Sequence, residues 1–268
     1  MTHVERSIKL LQTLEKPDEI YNLGFSGGKD SVVIFDLAKK AGVKFNAIHA
    51  VTTIDPPFTI SFIKKYYPEV KILRPPKTFF QIVSEKGLPS RTRRFCCELL
   101  KEKYGIGKRS IEGMRREESP KRNLYEPEQC DSRKWMCNAQ HILPILEWTE
   151  KQVWDYIHEN NIPYMKYYDA PYNFKRHGCV GCPLSSQKIK KKEFRQFPKY
   201  AIAFMNAIEK YMTTHPNSML SKTFSDKYEA FYFYTRDNET ILKFKQRKSG
   251  LFGFDFKEYV CNYLGINA

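Results

Sequence analysis

The chain has 268 residues, enough for one large core or a core with a smaller appendage, and it carries 41% hydrophobic residues with no internal repeat or low-complexity tract. Its apolar runs are too short to span a bilayer, and the charged amphipathic start at Met1–Ile20 reads as a surface helix and not a signal peptide, so a soluble, cytoplasmic protein with no membrane partner is expected. Forty-five Lys and Arg against 30 Asp and Glu leave a net charge of +15, which attracts polyanions such as nucleic acid or phosphorylated nucleotides, although a lysine-rich solvated surface gives the same sum.

The first predicted strand, Tyr21–Phe25, runs into Ser26-Gly27-Gly28-Lys29-Asp30-Ser31 and then a helix over Val32–Lys40 closed by Gly42. A glycine-rich turn between strand and helix lets backbone N–H groups and the helix N-terminus hold phosphate, with Ser26 and Ser31 as extra donors. It is not a Walker A loop, because Gly24 and Gly28 lie too close and Lys29 is followed by Asp. A strand over Val43–Val51, a stop at Pro56–Pro57, a helix over Phe58–Tyr67, a strand at Val70–Leu73 and a helix over Thr78–Lys86 ending at Gly87 follow. This alternation predicts an α/β fold: a parallel twisted sheet with helices on both faces and a ligand at the carboxyl edge of its strands.

The stretch Tyr104–Gly113 leads into a polar loop, Gly113–Arg122; a strand follows over His141–Leu146 and then a helix over Thr149–Asn160, with Thr149 as N-cap and Gln152 three residues on. Beyond Pro183 the basic run Lys188–Lys192 opens a helical stretch reaching about Thr213, and Tyr228–Tyr234 and Lys243–Lys248 mix aromatic and basic residues. A boundary is placed near residue 184, giving a nucleotide-binding domain over 1–184 and a smaller, basic, mainly helical region over 185–268. Two readings of that tail stand: a helical subdomain packed on the sheet, or a surface for nucleic acid.

Seven cysteines without a secretion signal argue against a disulfide framework. Cys96 and Cys97 are adjacent, and Cys179-Val-Gly-Cys182-Pro forms a Cys-x-x-Cys turn. Two such pairs suit a soft metal held by thiolates, and divergent neighbouring thiols suit a cubane better than zinc; buried unligated thiols and a redox dithiol at Cys179 and Cys182 remain the alternatives. His49 reads as structural, His177 as a neighbour tuning that metal or as a solvent-exposed side chain, and Trp135, Trp148 and Trp154 as packing residues.

Ser-Gly-Gly-Lys-Asp-Ser resembles the PP-loop of the adenine-nucleotide α-hydrolase-like superfamily. With Arg94-x-Cys-Cys-x-x-Leu-Lys101, Gly113-x-Arg-x-x-Glu-Ser119, Pro144-Ile-x-x-Trp-Thr149 and Gly178-Cys-x-x-Cys-Pro183, the chain resembles the PAPS reductase family over roughly residues 20–184. The resemblance implies a Rossmann-like PP-loop fold and binding of an adenine nucleotide (ATP, APS or PAPS) through Ser26, Gly27, Gly28, Lys29, Asp30 and Ser31. It also implies a second anion-binding segment at Gly113, Arg115, Glu118, Ser119 and Arg122, and a 4Fe–4S cluster on Cys96, Cys97, Cys179 and Cys182.

Assimilatory reductases of that family attack the sulfonucleotide with the cysteine of a C-terminal Glu-Cys-Gly-x-His segment, whereas the late cysteine here, Cys261, sits in Tyr-Val-Cys-Asn-Tyr and reads as a small apolar helix residue. The expected function is therefore ATP-dependent sulfur transfer to a nucleic acid or metabolite, with Asp30 helping to hold Mg²⁺ and Arg115 and Arg122 neutralising phosphoryl charge. Cys130 and Cys137 are candidate sulfur carriers or ordinary loop thiols, and a sulfur-donor or thioredoxin-like protein is the expected partner. The alternatives are a thioredoxin-dependent APS or PAPS reductase releasing sulfite, and a non-catalytic nucleotide sensor that binds DNA or RNA.

Overall fold

The computed structural model describes residues 1–235, 240, 243–244, 246, 249 and 254–266. Lys245, Arg247 and Lys248 of the basic run lie outside the described residues. In chain order the elements begin with α1 (His3–Thr13), β1 (Tyr21–Gly24), α2 (Lys29–Ala41), β2 (Phe45–Ala50), α3 (Thr59–Tyr66), β3 (Lys71–Leu73) and α4 (Phe79–Lys86). They continue with β4 (Arg109–Ile111), β5 (Glu128–Cys130), β6 (Gln140–Ile142), α5 (Glu150–Glu159), α6 (Gln187–Gln196), α7 (Pro198–Thr214), α8 (Met219–Thr223), α9 (Lys227–Thr235) and α10 (Phe256–Leu264). No helix among the described residues is long and apolar enough to cross a membrane. The chain divides into two compact units, Met1–Val51 with Pro56–Pro75 and Glu98–Gly178, and Thr52–Asp55 with Pro76–Cys97 and Cys179–Ala268.

The first unit is the α/β layer. Its six-stranded sheet has the order β3-β2-β1-β4-β6-β5, parallel throughout except for β5. β1 sits at the centre, and the chain winds outward from it in both directions. The crevice at the carboxyl ends of β1 and β4 is thus the switch point where ligands bind in such sheets. Nearly every side chain of α2 from Val32 to Ala38 is buried, because α1 and α5 pack along it on the sheet. Thr149 and Gln152 form the predicted capping box, Gln152 N–H donating to the Thr149 hydroxyl at 3.2 Å and Thr149 N–H to the Gln152 amide oxygen at 2.8 Å.

Two details depart from the sequence reading. β5 is an antiparallel edge strand where a loop is expected; its residues, Glu-Gln-Cys, carry no apolar alternation and pair through the backbone alone. The strand expected over His141–Leu146 ends at Ile142, since Pro144 has no N–H to donate and Leu146 N–H turns back to Leu143 O at 3.2 Å.

The second unit is helical. Phe79, Phe194, Phe204 and Phe231 are at most 1% exposed and pack ring to ring at 5.0–5.2 Å, joining α4, α6, α7 and α9. The single helical stretch expected from Lys188 to Thr213 is two helices. Phe197 adopts φ −130, ψ 66 ahead of Pro198, which disfavours helical geometry in the residue before it and opens α7.

Candidate functional site

In the first unit, β1 delivers Ser26–Ser31 to the switch point. Gly27 takes φ +84, a left-handed conformation that glycine supplies without strain, and turns the chain so that Gly28 caps α2. The Ser26 hydroxyl receives Gly28 N–H at 3.2 Å, and the Ser31 hydroxyl donates to Gly28 O at 2.8 Å. Lys29, Asp30 and Ser31 form the first turn of α2, where helix N–H groups and the helix dipole favour an anion. Lys29 is only 4% exposed; its ammonium lies 3.5 Å from Asp30 Oδ2, 3.6 Å from Glu150 Oε1 and 3.5 Å from Lys175 O.

The second segment arrives from β4. A Cβ on Gly113 would stand 3.1 Å from the backbone carbon and oxygen of Asp30, so a glycine lets this loop touch the first turn of α2. Arg115, 3% exposed, then pairs with Asp30 Oδ1 at 2.8 Å and Glu117 Oε2 at 2.8 Å. Glu118 accepts the Arg115 N–H at 3.1 Å and pairs with Arg122, while Ser119 separates the two short helical turns. Burial and then the neighbouring Arg176 guanidinium lower the Arg122 pKa. Three cations, Lys29, Arg115 and Arg122, thus surround one carboxylate at the helix start, with Arg176 beside Arg122 and with Glu117, Glu118 and Glu150 as outer partners. Asp30 is committed to Arg115 and Lys29, so a Mg²⁺ held by this protein carboxylate does not fit; an ion carried on nucleotide phosphates needs no such ligand.

Several residues at this site were not singled out from sequence. The Tyr168 hydroxyl accepts Lys29 N–H at 2.9 Å, and its phenol pKa is raised by burial. Arg176 and Lys175 belong to the same segment, and Glu112, whose carboxyl pKa burial raises, stands between β4 and Gly113 and accepts from the Tyr104 hydroxyl. His177 is not solvent-exposed. It is buried against the loop, its Nε2 3.8 Å from where a Cβ on Gly27 would stand; burial, then His49 and Lys101, push its pKa down to about 3. The one signal for this segment is its density of Tyr followed by Lys-Arg-His. His49 is structural as expected, 3% exposed with Nδ1 2.9 Å from Phe25 O.

Cys130 and Cys137 do not join this site. Cys130 pairs with Gln140, the first residue of β6, which pairs with Arg109, the first residue of β4. Cys137 lies three residues ahead of β6, where Met136 O receives Gly107 N–H at 2.9 Å. Both thiols therefore occupy the amino edge of the parallel strands, about 16 Å of strand away from the phosphate loop. The two candidate sulfur carriers are thus set apart from the phosphate loop. Their neighbourhood is a charge network: Asp131 accepts from His141 at 2.9 Å and from Arg133, which also pairs with Glu102.

In the second unit Cys96, Cys97, Cys179 and Cys182 converge. None of the seven forms a disulfide. The Cys179–Cys182 turn is fixed at Gly181, whose N–H donates to Glu193 Oε2 at 2.8 Å and whose carbonyl accepts from the Tyr234 hydroxyl at 2.6 Å. Val180 N–H reaches Ile54 O at 2.8 Å, and the Cys179 thiol contacts Thr52 Oγ1 at 3.5 Å. The Cys96 thiol is held far above its ordinary range by its contact with Cys97, by burial and by Cys179 and Cys182. Tyr234 is likewise raised by burial and by Cys182, Cys96, Glu193 and Cys179. Four sulfurs share one electrostatic neighbourhood, yet no three His, Cys, Asp or Glu side chains among the described residues close on a single ion. Four thiols with no other donor are a ligand set that fits a 4Fe–4S cluster.

The chain is 32% identical over 202 residues to an uncharacterized protein of Methanocaldococcus jannaschii, covering 71% of this chain and 48% of that one. It is 30% identical over 184 residues to the adenosine 5'-phosphosulfate reductase of Geobacillus thermodenitrificans, covering 63% of this chain and 74% of the reductase. The crystal structure of the phosphoadenylyl-sulfate reductase of Candida auris aligns over 65% of this chain and 87% of its own, at TM-score 0.49 and 19% identity. The chain spans about half the length of the archaeal relatives it matches. Residues 20–185 match the phosphoadenosine phosphosulfate reductase domain, the stretch that holds the phosphate loop, the Gly113–Arg122 segment and both cysteine pairs, and the chain belongs to that family.

Proposed function

We propose that this chain is an enzyme of sulfur chemistry that binds an adenine nucleotide through Ser26–Ser31, holds a 4Fe–4S cluster on Cys96, Cys97, Cys179 and Cys182, and transfers sulfur to a nucleic acid or metabolite at the expense of ATP. The observation that carries the reading is the buried cationic cradle, with Lys29 at 4% exposure in the first turn of α2 and Arg115 at 3% exposure paired to Asp30 of that turn. Fixed cations and helix N–H groups in a desolvated site suit the compact charge of a departing pyrophosphate. An acceptor oxygen would attack the α-phosphorus, the bond to the bridging oxygen would break, and pyrophosphate would leave into the loop. Hydrosulfide from a sulfur-donor protein would then attack the activated carbon, releasing AMP with the carbon–oxygen electron pair; no oxidant or reductant is consumed. A bound cluster supplies soft iron with affinity for sulfur.

Reduction of APS or PAPS is the second reading, favoured by the 30% identity to the Geobacillus enzyme. It needs a thiol at the sulfonucleotide, whereas Cys130 and Cys137 sit at the far sheet edge and Cys261 is 3% exposed on α10. Anaerobically prepared protein given MgATP, sulfide and bulk RNA or small-molecule extract should release AMP and pyrophosphate and lose that activity in Ser31→Ala. Sulfite from APS or PAPS with thioredoxin, and no AMP, would establish the reductase instead. Nucleotide binding with neither product would leave the non-catalytic sensor.

A further inference from the structure

One side chain seated on the phosphate loop has no part in the chemistry above. The Tyr168 hydroxyl accepts the backbone N–H of Lys29, the first residue of α2, at 2.9 Å. Gly28 permits the approach, since a Cβ there would stand 3.2 Å from the Tyr168 hydroxyl and 3.3 Å from Ser26 Oγ. The ring is fixed from two sides: it meets Trp154 of α5 edge to face at 5.1 Å between centres, and the Lys29 ammonium lies 5.7 Å from its own centre. Further along the same segment, Lys175 O accepts from that ammonium at 3.5 Å. A phenol oxygen carries a proton as well as lone pairs, and among the described residues no acceptor takes the proton of Tyr168. Burial raises the phenol pKa, with Asp30 adding to it against the pull of the Lys29 N–H, so the proton stays on at neutral pH.

We propose that Tyr168 is a nucleotide-binding residue, accepting from Lys29 N–H and donating its own proton to a phosphate oxygen held on the loop. This rests on the reading that Ser26–Ser31 binds nucleotide phosphate, and not on sulfur transfer. The first-turn N–H groups of a helix favour an anion. A hydroxyl set on one of them passes the donor onward, because an O–H whose oxygen already accepts is polarised and donates more strongly. Lys29 and Arg115 bring charge to the site, but each is tied to carboxylates of Asp30, Glu150 or Glu117 at 2.8–3.6 Å. Tyr168 adds a neutral donor on a fixed ring, which reads the position of an oxygen and not merely its charge. A phosphate oxygen is the acceptor that gains most from it, since a hydrogen bond to an ionised acceptor is about twice as strong as one between neutral groups. A ribose hydroxyl is the weaker candidate, and a ligand without a sugar separates the two.

The test is titration calorimetry of the full chain with ATP, APS and inorganic pyrophosphate, parent against Tyr168→Phe. Phenylalanine keeps the ring between Lys29 and Trp154 and removes only the oxygen. Affinity for each ligand that the parent binds should fall about tenfold to a hundredfold, as for a lost hydrogen bond to a charged group, with the melting midpoint unmoved. Trp154→Leu frees the ring but keeps the hydroxyl. It should cost about threefold alone and nothing further in the Tyr168→Phe background, and it carries the test where Tyr168→Phe does not fold. Unchanged affinity in Tyr168→Phe overturns the proposal. Tighter binding overturns it too, because the hydroxyl would then compete with phosphate for the Lys29 N–H. A loss for ATP and APS but not for pyrophosphate would move the contact to the nucleoside and overturn it as well. A parent that binds none of the three ligands removes the nucleotide reading and this proposal together, whereas a binding parent with a silent Tyr168→Phe removes only the tyrosine's part.

Discussion

The two units hold positive charge in opposite ways. In the first, Lys29 and Arg115 are buried and tied to Asp30, Glu117 and Glu150 at 2.8–3.6 Å. In the second, Lys188 and Arg195 of α6 line an open groove. A desolvated, pinned cation cannot follow a ligand, so it selects one of fixed size and shape, and its field is little screened. An exposed row acts over roughly a Debye length, about 8 Å in physiological salt, and tolerates many shapes of anion. Phosphate binding at the loop should therefore survive salt that strips any ligand from the groove.

The contrast is not between a rigid unit and a soft one, and Gly181 shows why. It sits at φ +71, and a Cβ there would lie 2.5 Å from Phe194 Cζ in the aromatic core. Gly181→Ala combines a left-handed backbone penalty with overpacking, about 2–5 kcal/mol together. A melting midpoint lower by roughly 5–15 °C is expected, with loss of iron and sulfide and of absorbance near 400 nm from anaerobic protein. A variant as stable and as iron-rich as the parent would mean that the turn does not organise the thiols. Zinc as the sole metal in the parent would remove the cluster altogether.

Arg115→Met sharpens the comparison from the other side. It strands the buried Asp30 carboxylate and removes a cation from the cradle, a loss of about 3 kcal/mol or roughly a hundredfold in nucleotide affinity by calorimetry. Arg116→Met is the matched control, since Arg116 pairs with the exposed Glu147 and should change affinity by less than about fivefold. Equal losses in both variants would show that net charge, not pinned geometry, binds the phosphates.

Much of the first unit was legible because its signals are local. Ser26–Ser31 specifies its own turn, Thr149 and Gln152 cap their own helix, and the Gly113 segment declares itself by residue type. What stayed hidden depends on contacts distant in sequence. Nothing near Tyr168 says that its hydroxyl will meet Lys29 N–H, 139 residues away. His177 stands two residues from Cys179, yet it packs on Gly27 and Gly28, because only the sheet's winding decides which loop it covers. Glu128–Cys130 became a strand through backbone pairing, which leaves no side-chain pattern to read. The α6 face was visible as a basic run, but its separation from the buried Lys190 needed the helix phase.

A pH effect follows from the amino edge of the sheet. Burial would raise the Asp131 carboxyl, but hydrogen bonds from Arg133 and His141 outweigh it and hold the pKa well below the usual range. A depressed folded-state pKa stabilises the protein above the unfolded value, near 3.9, and that stability is lost as pH falls through the folded pKa. Asp131→Asn should cost about 1–3 kcal/mol at pH 7 and flatten the loss of stability below pH 4. Denaturation profiles of parent and variant that stay parallel through that window would show that another carboxyl governs the acid limb.

The smallest expected effect is the most discriminating for mechanism. Cys130 and Cys137 are exposed thiols at the edge of the sheet opposite the phosphate loop, so Cys130→Ser and Cys137→Ser, singly or together, should leave nucleotide affinity and AMP release within about twofold of the parent. Serine keeps the size and local hydrogen bonding of cysteine while removing its nucleophilicity, so a structural role would be spared and a chemical one abolished. Loss of turnover with unchanged nucleotide affinity would mean that the amino edge takes part in sulfur chemistry. The pinned cations at the carboxyl edge would then be only half of the reacting site, with a carrier needed to bring sulfur from one edge to the other.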